Sequence, residues 1–215
     1  MADATLPLLI VFGAGGHGRV VADAALASGA WRAVVATDRD PAQWGGDLLP
    51  GIPVIALDAV ASLPGPLALH VAIGTNAYRR AEAERLRELA PLATVVHPHA
   101  SVASSAVVGP GCLLTAQCVV GPTARLGAGV VVNHGAVVDH DCEIDAWAHI
   151  APGARLGGAV KVGEAALVGA GSTVLRNLRI GAEATLGAGA VALNDVPANQ
   201  AWAGVPAHPL ANAAA

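Results

Sequence analysis

From Val102 onward the chain places an aliphatic residue at every sixth position: Val102, Val108, Leu114, Val120, Leu126, Val132, Val138, Ile144, Ile150, Leu156, Val162, Val168, Val174, Ile180, Leu186 and Ala192. Two residues before each stands a small or aliphatic side chain, as at Ala100, Cys112, Cys118, Cys142, Ala154 and Ser172. Both sets must point inward, and an unbroken six-residue period of this kind predicts a β-solenoid, with three short strands to a turn and about five turns. Glycine follows the aliphatic residue at Gly109, Gly121, Gly127, Gly157, Gly163, Gly169, Gly181 and Gly187, which predicts backbone freedom near corners where a Cβ would be costly.

Every third hexad shares a face, so residues eighteen apart stack. The outward positions then sort by face. Arg125, Glu143, Lys161 and Arg179 make the second face a solvated one, whereas Val119 and Val137 on the first and Leu113, Val131 and Leu167 on the third are apolar. Two apolar outward faces predict burial against copies of the same chain, most simply a three-fold ring.

Before the solenoid the pattern changes to buried runs alternating with helical stretches. Residues 7–12 read as a strand, 19–28 as a helix, 33–36 as a second strand, 67–73 as a third and 77–89 as a charged amphipathic helix carrying Arg79, Arg80, Glu82 and Glu84. Strands alternating with helices predict a parallel α/β sheet. Pro91 stops the last helix, and Thr94-Val95-Val96 hands the chain to the solenoid, so the expected domains are 1–96 and 97–215.

Composition narrows the class. The 215 residues are 54% hydrophobic with formal charge −4, which removes the basic footprint of a nucleic-acid binder. Leu6 to Phe12 is too short an apolar run to span a bilayer, so a membrane role is not expected and the cytoplasm is the default location. All three cysteines fall on small inward positions, where packed thiols are expected and disulfides are not.

Gly13-Ala14-Gly15-Gly16-His17-Gly18 fits G-x-G-x-x-G between a strand and a helix, and Asp38 follows the next strand. Bare backbone N–H groups at a helix start suit a phosphate or pyrophosphate, and an acidic side chain beyond the second strand can hold a ribose. NAD and a nucleotide-sugar offer the same groups. A tight turn that needs glycine for packing alone remains the bland alternative.

The solenoid register also places the chemistry. His140 and Asp141 sit at the corner between the first and second faces, where side chains project outward. Gly158 occupies the same corner one coil later, its N–H about a strand spacing, roughly 5 Å, from His140. A base beside a backbone donor without a side chain is what acyl transfer requires: one takes a proton from the nucleophile, the other steadies the oxyanion. Asn133 and His149 stand side by side on the third face, away from that corner, and could meet His140 only across a subunit boundary. A zinc site built from His134, His140 and His149 is disfavoured, because no two of them are separated by a multiple of eighteen residues. His97, His99 and His208 carry no assigned role.

With these residues placed, the chain resembles the hexapeptide-repeat sugar acetyltransferases of the bacillosamine and perosamine pathways and the related sialic acid O-acetyltransferases. The likeness runs through Gly13–Gly18, Ala72-Ile73-Gly74-Thr75-Asn76 with Arg79, Asn133, Asp139-His140-Asp141-Cys142, His149, Gly158 and Gly204-Val205-Pro206-Ala207. It implies a Rossmann-like half followed by a left-handed parallel β-helix, assembled as a homotrimer. It also implies that acetyl-CoA is the co-substrate, with no tightly bound cofactor and no metal. His140 would be general base on the 4-amino group of a nucleotide-linked sugar, with Asp141 orienting it and Gly158 at the oxyanion and acetyl-CoA. Substrate would be held by Gly13, Gly15, Gly16, His17, Gly18, Asp38, Arg39, Gly74, Asn76, Arg79, Asn133, Asp139 and His149. The family often has Glu at the positions of Asp139 and Asp141, and an Asn pair where this chain has Thr75-Asn76. A GDP-linked perosamine is the first expectation, a UDP-linked 4-amino sugar the next, with a place in lipopolysaccharide O-antigen biosynthesis.

Two other readings stay open: sugar O-acetylation by the same base, and a non-catalytic nucleotide-sugar-binding scaffold. An NAD-dependent oxidoreductase is disfavoured, since about 95 N-terminal residues leave no room for a two-halved dinucleotide fold with a substrate site.

Overall fold

A computed structural model of the chain describes residues 5–210. The chain divides between Pro98 and His99 into two compact units.

The first unit is built on a sheet whose inner strands are buried on both faces, the expected setting for parallel strands. β1 (Leu8–Phe12), β2 (Ala33–Thr37) and β5 (Leu67–Val71) run parallel, with β1 between the other two. β3 (Asp47–Leu49) and β4 (Ile52–Ile55) form a hairpin that extends the sheet beyond β2, giving the order β3-β4-β2-β1-β5. This hairpin has no counterpart in the hydrophobic pattern. Its strands are three and four residues long, one contains Pro53, and its turn at Gly51 (φ +81°) is braced by the Gly51 N–H donating to Asp47 Oδ2 at 3.1 Å.

Helix α1 (Gly16–Ser28) follows β1, and α2 (Asn76–Arg85) follows β5. α1 starts three residues earlier than the pattern predicts, because the last two glycines of the loop already form its first turn. α2 stops earlier than predicted, its expected last turn giving way to irregular turns through Leu89 ahead of Pro91. β6 (Val95–Val96) packs on α1 and closes the unit.

The second unit is a left-handed parallel β-helix of two-residue strands. Its three faces follow the eighteen-residue stacking, for example Val120 on Val138 on Leu156, Leu126 on Ile144 on Val162, and Val132 on Ile150 on Val168. The inward aliphatic and small residues form one continuous core down the lumen. Cys112, Cys118 and Cys142 are fully buried in it as free thiols. Burial pushes the Cys118 thiol up to about 12 and that of Cys142 up to about 11, so both stay protonated and inert.

One sequence expectation is met only in part and another needs correction. The glycines after the aliphatic residues do sit where a Cβ is costly, but they are not where the backbone turns left-handed. Positive φ falls two residues later, at Gly111, Gln117, Thr123, Gly129, Gly135, Asp141, Trp147, Gly153 and onward at the same period. Glycines such as Gly121 and Gly163 are required for a steric reason: a Cβ there would lie 2.8 Å and 2.4 Å from the backbone of the next coil. The correction concerns the apolar faces. Leu113 and Val131 are already buried within the single chain, at 0% and 1% exposure, so their character does not call for a partner. Val119, Val137 and Leu167 are half-buried, while Arg125, Glu143, Lys161 and Arg179 are exposed as expected.

Candidate active site at the His140 corner

At most coil corners the residue two after the aliphatic one is exposed, and its backbone N–H is not needed by the β ladder. Pro110, Pro122 and Pro152 occupy this position without loss, since proline has no N–H to give. His140, Gly158 and Arg176 occupy it in three successive coils. The stacking is close: the Ala159 N–H donates to the His140 carbonyl at 2.9 Å, and the Asn177 N–H to the Gly158 carbonyl at 3.0 Å.

His140 uses both neighbours. Its own N–H donates to Asp139 Oδ1 at 2.7 Å, and its Nδ1 lies 2.8 Å from Asp141 Oδ2. A nitrogen beside a carboxylate carries the hydrogen, which leaves the lone pair on Nε2. That face of the ring lies over Gly158: a Cβ on Gly158 would sit 2.4 Å from Nε2. Glycine therefore makes the room in which the imidazole lies. The Gly158 N–H donates to no group among the described residues. Asp139, His140, Gly158, Arg176 and Asn177 line an open cleft of about 400 Å³.

The Asp141 hydrogen bond, reinforced by the charge of Asp139, raises the His140 pKa above its ordinary value. Asp141 is shifted the other way, chiefly by a hydrogen bond from Thr123 Oγ1 and then by His140. Thr123, Arg176 and Asn177 were not singled out from sequence. All three sit at this corner on neighbouring coils, and the eighteen-residue spacing from Asp141, Gly158 and Ala159 is the signal that finds them.

Asn133 and His149 meet on their own face, with Asn133 Nδ2 and His149 Nε2 3.1 Å apart. Asn133 Oδ1 accepts from the His134 N–H at 2.9 Å. They belong to a different part of the coil from the His140 corner, as the register requires.

In the first unit the glycine loop separates into builders and open positions. A Cβ on Gly13 would lie 2.7 Å from the Ala72 carbonyl oxygen, and one on Gly18 would lie 2.0 Å from that of Gly13. Those two glycines let strand and helix approach. Gly15 and Gly16 have nothing within 4 Å of a Cβ, so their backbone faces open space at the start of α1. Asp38 holds this loop, accepting from the Ala14 N–H at 2.7 Å through one oxygen and from the Asp40 N–H at 2.9 Å through the other.

Arg39 pairs with the largely buried Glu82. Arg79 is 1% exposed, against the expectation of an open helix face. Its guanidinium donates to the Ile73 carbonyl at 3.0 Å, the Gly74 carbonyl at 3.3 Å and Asn76 Oδ1 at 3.0 Å, which shapes the loop after β5. His17 is half-buried. Among the described residues no cluster of three His, Cys, Asp or Glu could hold a metal ion, and no helix is long and apolar enough to cross a membrane.

The fold has close counterparts among solved structures. The acetyltransferase domain of PglB from Neisseria gonorrhoeae, solved with acetyl coenzyme A, is 39% identical over 95% of this chain and all of its own, with a TM-score of 0.88. PerB from Caulobacter crescentus, solved with CoA and GDP-perosamine, is 34% identical over 94% of this chain and 97% of its own, with a TM-score of 0.87. The chain belongs to this family of sugar N-acetyltransferases.

WeeI from Acinetobacter baumannii, 25% identical over 94% of this chain and 99% of its own, has the same fold at a TM-score of 0.82. The PglD N-terminal domain family matches residues 8–86, the part that carries the glycine loop, Asp38 and Arg79. No curated protein sequence matches the chain. As an acetyl-CoA-dependent N-acetyltransferase the protein needs a base, an oxyanion donor and a groove for the thioester. The His140 corner offers a candidate for each.

Proposed function

We propose that the protein transfers the acetyl group of acetyl-CoA to the 4-amino group of a nucleotide-linked 4-amino-4,6-dideoxy sugar, with His140 as general base. The observation that carries this reading is the Nε2 of His140, oriented by Asp141 and laid over the side-chain-free Gly158. The amine attacks the thioester carbonyl and forms the C–N bond. Nε2 takes the proton that the amine gives up, and the Gly158 N–H faces the oxygen that becomes negative. Collapse of the intermediate breaks the C–S bond, and the proton passes from Nε2 to the departing CoA thiolate.

GDP-perosamine is the favoured acceptor, because the relative solved with it shares both units of the chain; a UDP-linked 4-amino sugar comes next. The open backbone at Gly15 and Gly16 would receive the pyrophosphate. We place the protein in the cytoplasm, where nucleotide sugars and acetyl-CoA are made, and in O-antigen biosynthesis. Labelled acetyl-CoA offered with GDP- and UDP-linked amino sugars tests the reading: N-acetylated product is expected, and transfer to sugar hydroxyls alone would replace it with O-acetylation.

The Asn133–His149 pair is assigned to an acceptor site completed by a second subunit of a homotrimer. An inactive His140→Ala protein mixed with an inactive Asn133/His149 double variant should regain part of the activity after subunit exchange. An active monomer in sedimentation would overturn the shared site.

A further inference from the structure

The corner column below His140 contains a residue that neither the loop nor the core accounts for. Thr123 lies eighteen residues before Asp141, and both have left-handed backbone, with φ of +59° and +58°. Asp tolerates that region. A β-branched residue there is strained. Among the described non-glycine residues with positive φ, which include Gln117, Ala159, Ala165 and Asn177, Thr123 is the only β-branched one. Glycine fills the equivalent position at Gly111, Gly129, Gly135, Gly153 and Gly171, so the coil itself does not ask for threonine. Strained residues persist where something else holds them in place, often at functional sites.

What the strain secures is visible in the contacts. The Thr123 N–H donates to Ser105 Oγ, one coil further down, at 3.1 Å. Its hydroxyl lies 2.5 Å from Asp141 Oδ1 and 2.5 Å from the Pro122 carbonyl oxygen. It has one hydrogen to give, and the charged carboxylate is the stronger acceptor. The other Asp141 oxygen faces His140 Nδ1 at 2.8 Å. Asp141 is 60% exposed on its side chain, so nothing else confines its carboxylate plane.

We propose that Thr123 is a positioning residue: its hydroxyl locks the Asp141 carboxylate in the rotamer that turns His140 Nε2 toward Gly158 and the cleft. The role rests on the reading of His140 as the base. It also explains how the short arm of Asp141 serves, since a second anchor supplies the orientation that length alone would not. The charged groups facing His140 are Asp139 and Asp141 from its own corner and Arg176, which lines the same cleft; Thr123 acts on one of these.

The test compares Thr123→Val, which keeps the β-branched shape and removes the hydroxyl, with Thr123→Ser, which restores it. The His140 imidazole titration is followed by NMR, together with the pH profile of kcat/KM. With valine the carboxylate turns into solvent, the titration and the acid limb both move down toward the ordinary histidine range, and kcat/KM at neutral pH falls about tenfold, the size of one hydrogen bond. Serine returns all three readings to those of the unchanged protein. If valine at this strained position prevents folding, Thr123→Gly removes strain and hydroxyl together and is expected to show the same downward shift. A titration that stays where it was, or moves up, in the folded hydroxyl-free variant overturns the proposal. Normal turnover by His140→Ala would instead overturn the base assignment, and the titration would still decide the role of Thr123.

Discussion

The two places in this molecule that sequence marks out for chemistry handle their polar residues in opposite ways. At the His140 corner the side chains stand outward, His140 at 57% exposure and Asp141 at 60%, on a frame whose rigidity comes from stacked backbone and a buried aliphatic lumen. Around the glycine loop two of the marked charged residues are drawn inward, while Arg39 stays 63% exposed. Arg79 is buried on loop carbonyls, Asp38 is tied to the Ala14 N–H, and Gly13 and Gly18 let strand and helix touch. What remains open there is backbone at Gly15 and Gly16. A solenoid thus presents reactive side chains on a scaffold that does not need them. The α/β loop uses Asp38 and Arg79 to hold its own backbone in place.

The sharpest way to break this contrast is to remove His140. His140→Ala or His140→Asn should leave the thermal unfolding and assembly of the protein as they are, since an exposed corner side chain contributes little packing. Turnover should fall by about two to four orders of magnitude, the usual range for a general base. Near-normal turnover at saturating substrates and neutral pH would refute the assignment. Asp141→Asn should give a smaller loss and shift the acid limb of kcat/KM down, because Asp141 holds the His140 pKa above its ordinary value.

A second comparison uses two glycines of one solenoid. In Gly158→Ala the added Cβ meets only the end of the His140 ring, whereas in Gly163→Ala it meets backbone of the next coil at 2.4 Å. The first variant should melt normally with turnover reduced at least tenfold. The second should lose about 1–3 kcal/mol of stability through overpacking. Calorimetry beside an activity assay reads both, and equal melting temperatures would contradict the steric account.

The buried side of the contrast has its own pH signature. His70 is fully buried in β5 with Nδ1 2.9 Å from the Ala93 carbonyl oxygen. Desolvation, more than any charge, lowers its pKa to about 4. From pH 6.5 down to 4 the unfolded chain binds a proton that the folded chain refuses, so stability falls with pH across that window and levels off below it. The loss is roughly 3 kcal/mol, from a shift of 6.5 to about 4 at 1.36 kcal/mol per unit. Denaturant titrations at several pH values would measure it, and His70→Gln should flatten the curve.

The smallest effect is expected at the open part of the loop. Gly15→Val should weaken calorimetric binding of GDP or UDP about tenfold or more by blocking close backbone approach, with stability little changed. Gly18→Ala should destabilise the unit, since its Cβ would lie 2.0 Å from the Gly13 carbonyl oxygen. Tight NAD binding with none of a nucleoside diphosphate would overturn the pyrophosphate reading.

The six-residue period by itself determined the solenoid, its three faces and the stacking of Gly158 over His140, because each coil repeats the same local geometry and a residue's place follows from counting. The inward placing of the three cysteines was legible for the same reason. Tertiary structure decided what counting cannot reach. Residues brought together from distant segments set the burial of Arg79 and the bond from Asp38 to Ala14, and the hairpin at 47–55 is fixed by pairing with β2, not by its own pattern. The burial of Leu113 and Val131 within one chain likewise depends on what covers them. Even inside the solenoid, the left-handed residue of each corner and the strained Thr123 became visible only with the backbone angles, since a period specifies which side chains point inward and leaves the torsions of the turns to the packing of one coil on the next.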